Sequence, residues 1–303
     1  GDGTIYVANY ATGTGDFIRK YDNTGRLLLQ FGTAGRGAGQ MLYVESICVG
    51  PDGTIYVADN GNRRLQAFSP QGVPLFAYAL PTANGSDLKD VTLDAAGTIY
   101  LLEDYGAVTK VGANGQLLGR LQLSSSGSSG SQHECLLVEP NGDLLVSSTQ
   151  DQLLRYSPTG ALRGRITSNG YVSSSTHTAM ALNAAGEIFA TVFTHQQFGD
   201  RLFKFSPQGT ELARWGNATS LSTVRLDDAG NSYTLNGSTN EVEKRSPSGQ
   251  RLLAFRPAMS GSRLPLTALD LDGQGNITAL GLQMATLPLD PRLSAVLVHA
   301  TTN

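Results

Sequence analysis

The chain has 303 residues, 40% of them apolar and 16% charged, with a formal net charge of -3 at pH 7 and a pI near 5.8. That balance argues against a nucleic-acid partner, because a phosphate-binding surface needs clustered basic charge. No apolar run approaches the ~20 residues of a membrane-spanning helix, and no cleavable signal is visible at the start. Lysine is scarce, whereas Ser, Thr, Asn, Gln and Gly abound. This composition suits a secreted or periplasmic bacterial protein, a monomer whose signal peptide has been removed upstream of Gly1.

The chain opens inside a repeat. Residues 3–8 read as a strand entered from a glycine turn, followed by strands over 16–22 and 27–31. The next unit, residues 46–80, is the clearest. Four short apolar runs (47–49, 54–58, 65–68 and 75–78) are separated by Pro51-Asp52-Gly53, Asp59-Asn60-Gly61-Asn62 and Ser69-Pro70-Gln71-Gly72. The runs are too short for helices and rich in β-branched and aromatic residues, and the separators supply the left-handed positions that tight turns require. This spacing predicts one antiparallel sheet of four strands.

Looser copies follow over 91–123, 135–166, 179–215 and 223–255. A last one over 267–303 keeps two strands, 268–271 and 276–280, and an apolar run at 293–299. The turn glycine recurs as Gly3, Gly53, Gly97, Gly142, Gly186, Gly230 and Gly275, in steps of 44 to 50 residues. A lone small sheet with one buried face cannot offset the entropy of ordering it, so the copies must stack. Four strands per ~45 residues is the pattern of a β-propeller. The expected fold is therefore all-β, a single domain over residues 1–303 with seven four-stranded blades. The alternative is six, with residues 267–271 supplying the inner strand that the first copy lacks. In the seven-bladed form, closure rests on packing between two incomplete blades more than on strand pairing. Cys48 and Cys135 fall on inner strands two blades apart, too far for a disulfide, and are expected to be free and buried. The serine-glycine stretch at 124–131 reads as a mobile surface loop.

Alignment on the turn glycines places His133 and His177 at one equivalent position in adjacent copies. The segment entering each inner strand lines one mouth of the channel, so the two imidazoles could meet at a metal or a substrate. A divalent cation, zinc or calcium, would need further ligands, and Glu45, Glu134 and Asp90 are the nearest oxygen donors. Glu45, Lys89 and Glu134 share another equivalent position, one residue later, and put alternating charge round the same mouth. That pattern suits either a polar ligand site or a salt-linked rim. Tyr10, Tyr105, Phe193 and Phe198 lie where second and third strands join; exposed there they would favour a partner, buried there they would pack between blades. No nucleophile elbow, phosphate-binding loop, Cys-x-x-Cys or His-Glu-x-x-His element is present;.

The second copy resembles an NHL repeat. Asp52-Gly53, Ile55-Tyr56-Val57-Ala58-Asp59 and Asn60-Gly61-Asn62-Arg63-Arg64-Leu65-Gln66-Ala67-Phe68 carry the resemblance. It implies a β-propeller but not a function, since such propellers serve as scaffolds, sensors, lyases and lactonases. The metal-dependent lyases of this fold use channel histidines, which would give His133 and His177 that role. Because convergent catalytic motifs are absent, the leading expectation is a non-enzymatic binding or scaffold propeller that presents one face to a protein, peptide or glycan. A metal-assisted lyase or lactonase is the alternative.

Overall fold

The computed structural model describes residues 5–9, 17–21, 27–81, 87–124, 133–148, 153–166, 176–193, 200–218, 221–227, 229–236, 239, 241–255, 269–271 and 277–279. Among them, seven antiparallel sheets succeed one another along the chain. The first has three strands, the next five have four each, and the last comprises Leu269–Leu271 and Ile277–Ala279. The second blade shows the plan: an inner strand Val44–Val49, then Ile55–Asp59, Arg64–Phe68 and the outer strand Pro74–Ala79. Turn glycines such as Gly53 (φ 81°) and Gly72 (φ 77°) hold the left-handed conformation that the hairpins need;.

Inner strands Val44–Val49, Leu88–Leu93, His133–Val138, Thr176–Leu182, Leu221–Leu226 and Leu269–Leu271 each touch the next. The last touches Ile5–Asn9, which in turn touches Val44–Val49, so the ring closes. Leu269–Leu271 is hydrogen-bonded to Ile277–Ala279. It therefore builds a seventh sheet and does not complete the first blade, which overturns the six-bladed alternative.

The core is not one central mass but a series of layers between neighbouring blades. Ile18, Met41, Ile55, Val57 and Phe68 fill the first interface; Tyr56, Leu65, Leu88, Ile99 and Leu101 the second. Tyr100, Leu144, Val146 and Tyr156 fill the third, and Leu145, Ile166, Ile188, Phe203 and Phe205 the fourth. The middle strands are buried on both faces, which is why 55–58, 99–102 and 144–146 read as unbroken apolar runs instead of alternating ones;.

Two sets of β-bulges, unread in the sequence, shape the surface. Inner strands shift register between Val44 and Ser46, Leu88 and Asp90, His133 and Leu136, His177 and Ala179, and Leu221 and Thr223. Outer strands shift three residues after the turn glycine, at Leu28, Leu75, Leu118, Arg163, Leu212 and Leu252. A bulged residue loses its cross-strand partner and is re-aimed. Cys48 and Cys135 are free thiols, as expected, though half-buried. The apolar run at 293–299 and the serine-glycine stretch beyond Ser124 lie outside the described residues.

Candidate functional site

The inner-strand bulges bring Glu45, Lys89 and Glu134 to one end of the ring as successive members of a charge cluster. Lys89 Nζ lies 3.2 Å from Asp104 Oδ1, in the turn after the second strand of its own blade. Burial pulls the Lys89 ammonium down, but Glu134, Asp104 and Glu45 outweigh it and hold it above the ordinary lysine range. Glu45 is exposed as a residue, yet partial desolvation of its carboxyl pushes it up; Lys89 opposes this, while Asp87 and Asp104 add repulsion. Glu134 is raised in the same way, first by burial and then by Asp104 and Glu45. Glu45, Asp104 and Glu134 thus share the Lys89 ammonium, and Asp87 adds a fourth carboxylate beside Glu45, so acidic groups outnumber the one lysine in this cluster.

Asp90, grouped with these residues by sequence, has a different job. Its Oδ1 accepts from Ser46 Oγ (2.7 Å) and its own strand's Val91 N (2.9 Å), and its Oδ2 from Leu136 N (2.8 Å). The residue as a whole is half-buried, but its carboxyl is enclosed, and burial pushes it up. The Cys135 thiol also bonds to it and is itself driven up by burial and by that carboxylate. One side chain therefore ties together the inner strands of blades two, three and four.

His133 is buried, with Nδ1 3.1 Å from the Asp104 carbonyl oxygen. A carbonyl only accepts, so in the neutral ring Nδ1 carries the proton and Nε2 the lone pair. His177 enters the bulge of the next inner strand, opposite Val192; its side chain lies outside the described residues. Among the described residues, no group of three or more His, Cys, Asp or Glu stands together as a metal set. Of the loop aromatics, Tyr105 is 61% exposed. Tyr10, Phe198 and the Phe193 side chain lie outside the described residues. Tyr43, 55% exposed, was not anticipated; its φ of 53° is rare for a non-glycine residue;. Its ring lies over Gly61, where an added Cβ would approach Tyr43 Cδ2 to 2.6 Å.

An NHL repeat model matches residues 42–68. Structural similarity extends over nearly the whole chain. Streptogramin B lyase aligns with a TM-score of 0.63 at 15% identity, over 86% of this chain and 84% of that one. A catalytically inactive variant of virginiamycin B lyase from Staphylococcus aureus, with quinupristin, gives 0.66 at 12% identity, over 89% and 94%. The Dos1 propeller gives 0.57 at 9%, over 85% and 71%. The protein is an NHL-like β-propeller. Likeness at these identities is a likeness of fold, and no curated protein sequence matches the chain.

In this NHL-like propeller the matched segment is a structural clamp. Asp59 is fully buried and accepts from Leu42 N (2.9 Å), Asn62 Nδ2 (2.9 Å), Arg64 Nε (2.8 Å) and Gln66 Nε2 (3.1 Å). Arg64 also donates to the carbonyls of Arg36, Gly37 and Gln40, and Asn62 to that of Gly35. The motif therefore folds the connection from blade one onto blade two and seats Tyr43 at the mouth. Arg63 turns the other way, 3.7 Å from Glu103 of blade three.

Proposed function

We propose that this NHL-like propeller is a binding module whose mouth, over blades two to four, receives a segment of a protein or peptide partner that carries a positive charge. The observation that carries this reading is the charge cluster of Glu45, Lys89 and Glu134 with Asp87 and Asp104, flanked in the chain by exposed Tyr43 and Tyr105. Carboxylates attract an incoming cation, and tyrosine rings supply rigid contact area and cation–π faces. A left-handed backbone at a displayed aromatic is also what binding surfaces retain despite its cost. The test is selection from a displayed peptide library, followed by titration of the enriched peptides. Enriched sequences should be basic, and Tyr43→Ala with Tyr105→Ala, or Glu45→Gln with Glu134→Gln, should weaken binding at least tenfold. Peptides of neutral or acidic character, or equal binding by the variants, would end this reading.

The second reading is a metal-assisted lyase or lactonase. It is favoured by the equivalent bulge positions of His133 and His177 and by the tautomer that leaves Nε2 of His133 as a donor atom. Elemental analysis of protein purified without chelator decides it. Near-stoichiometric zinc or calcium that is lost in both His133→Ala and His177→Ala supports it, and metal content indifferent to both substitutions removes it.

A further inference from the structure

The position of Lys89 in the ring divides the acidic groups that surround it. It stands at the inner-strand bulge of blade three, with Glu45 at the same bulge of blade two and Glu134 at that of blade four. Inner strands Val44–Val49, Leu88–Leu93 and His133–Val138 are successive neighbours, so Lys89 falls between the two glutamates. Both carboxylates act on its ammonium, and they repel each other across it.

Among the described residues, Asp104 alone holds that ammonium by contact. Its side chain is 9% exposed, and its Oδ1 lies 3.2 Å from Nζ. This Oδ1 is buried and accepts no hydrogen bond, so the contact is one of charge, and a buried acceptor stays aimed into the cluster with capacity to spare. Glu45 and Glu134 make no hydrogen bond and no ion pair with any described residue. Partly desolvated carboxylates without an internal donor are what a charged group from a partner compensates. An ammonium that engages both glutamates at once has to enter the space between them, where Lys89 already brings a like charge. Two cations, one on either side, avoid that position and leave the contact of Lys89 with Asp104 intact. Glu45, Asp87, Asp104 and Glu134 against one lysine supply enough negative charge for both.

We propose, resting on the binding-module reading of the mouth, that Lys89 is a resident counter-ion that splits it into two carboxylate subsites, Glu45 and Glu134. Like-charge repulsion at the centre then selects partner segments with two positive charges over those with one. Fluorescence anisotropy of the whole chain tests this with labelled peptides that carry one lysine, two lysines separated by one residue, or glutamine at both positions in an otherwise uncharged sequence. The dilysine peptide should bind the parent roughly tenfold more tightly than the monolysine peptide or better, and the glutamine peptide should not bind. Lys89→Met should strengthen monolysine binding by about tenfold and dilysine binding by less, so that the preference collapses, whereas Lys89→Arg should keep it. Diffuse attraction to an acidic surface has the opposite sign, because loss of one positive charge then favours the more highly charged peptide. Lys89→Met combined with Asp104→Asn removes both partners of the buried contact, and it should show the same collapse if the single variant does not fold. No binding of either lysine peptide overturns the binding reading and this inference with it. Equal binding of the two by the parent, or a larger gain for the dilysine peptide in Lys89→Met, overturns this inference alone.

Discussion

Asp59 shows what a buried carboxylate does in this protein when every lone pair is used. Its four donors come from a loop amide and from three side chains on the same hairpin, and Arg64 completes the pair with only 14% of its side chain exposed. Asp59→Ala would leave Arg64 Nε and the Leu42 amide without their acceptor, and the guanidinium without its counter-charge. A loss of about 3–5 kcal/mol is expected, as for other buried pairs broken from one side, read as a lower urea midpoint at unchanged slope. Asp227 provides the pH-dependent counterpart. Burial pushes its carboxyl up, but hydrogen bonds from Asn231, Lys244 and Tyr233 outweigh burial and hold it below the usual aspartate value. A depressed folded-state pKa means stabilisation that is present above the unfolded value and lost as pH falls through the folded one. Asp227→Asn should therefore cost about 1–3 kcal/mol at pH 7 and progressively less below pH 4. Urea midpoints at pH 7 and pH 3 check this, and an equal cost at both would refute the assignment.

At the scale of the strand, the outer bulges leave Leu28, Leu75, Leu118, Leu212 and Leu252 between 41 and 54% exposed. They sit at the start of the edge strands, where a charge commonly discourages edge-to-edge association. Blade four already carries Arg163 there and keeps its sheet. Leu118→Lys and Leu252→Lys should therefore alter stability by no more than ~0.5 kcal/mol and reduce self-association in light scattering. A large destabilisation would show that these leucines are held by packing. The strands themselves were legible because Gly, Pro and Asn mark each hairpin and the intervening runs are short. The bulges were not, since a register shift alters neither composition nor period. That is why Glu45, Lys89 and Glu134 could be aligned from the turn glycines, while Asp90, adjacent in sequence and grouped with them, is enclosed as a tie between three blades. Tyr43 is not legible in the sequence for a related reason: glycine, and less strongly Asn or Asp, announces a left-handed backbone, and tyrosine does not.

The ring as a whole is a closed series of nearest-neighbour interfaces. Each apolar layer belongs to two blades, so the loss of one blade uncovers two faces. Residues 269–271 touch Leu221–Leu226 on one side and Ile5–Asn9 on the other, which makes the seventh sheet the closing element even though it forms no ladder with the first among the described residues. Sequence periodicity indicated this arrangement, because only the number of turn glycines and the two incomplete copies were needed. Removal of residues 256–303 should open the ring at that point and expose the flank of blade six that faces away from blade five, where Tyr233 is 2% exposed. Uncovering even one such side chain is worth about 1.5–3 kcal/mol, which for a chain of this size lowers the melting temperature by roughly 3–12 °C. The truncated chain should also bind a hydrophobic dye that the intact one does not. Melting at the parent temperature without dye binding would mean that the first six sheets hold together unaided, and that closure through 269–271 contributes nothing to the fold.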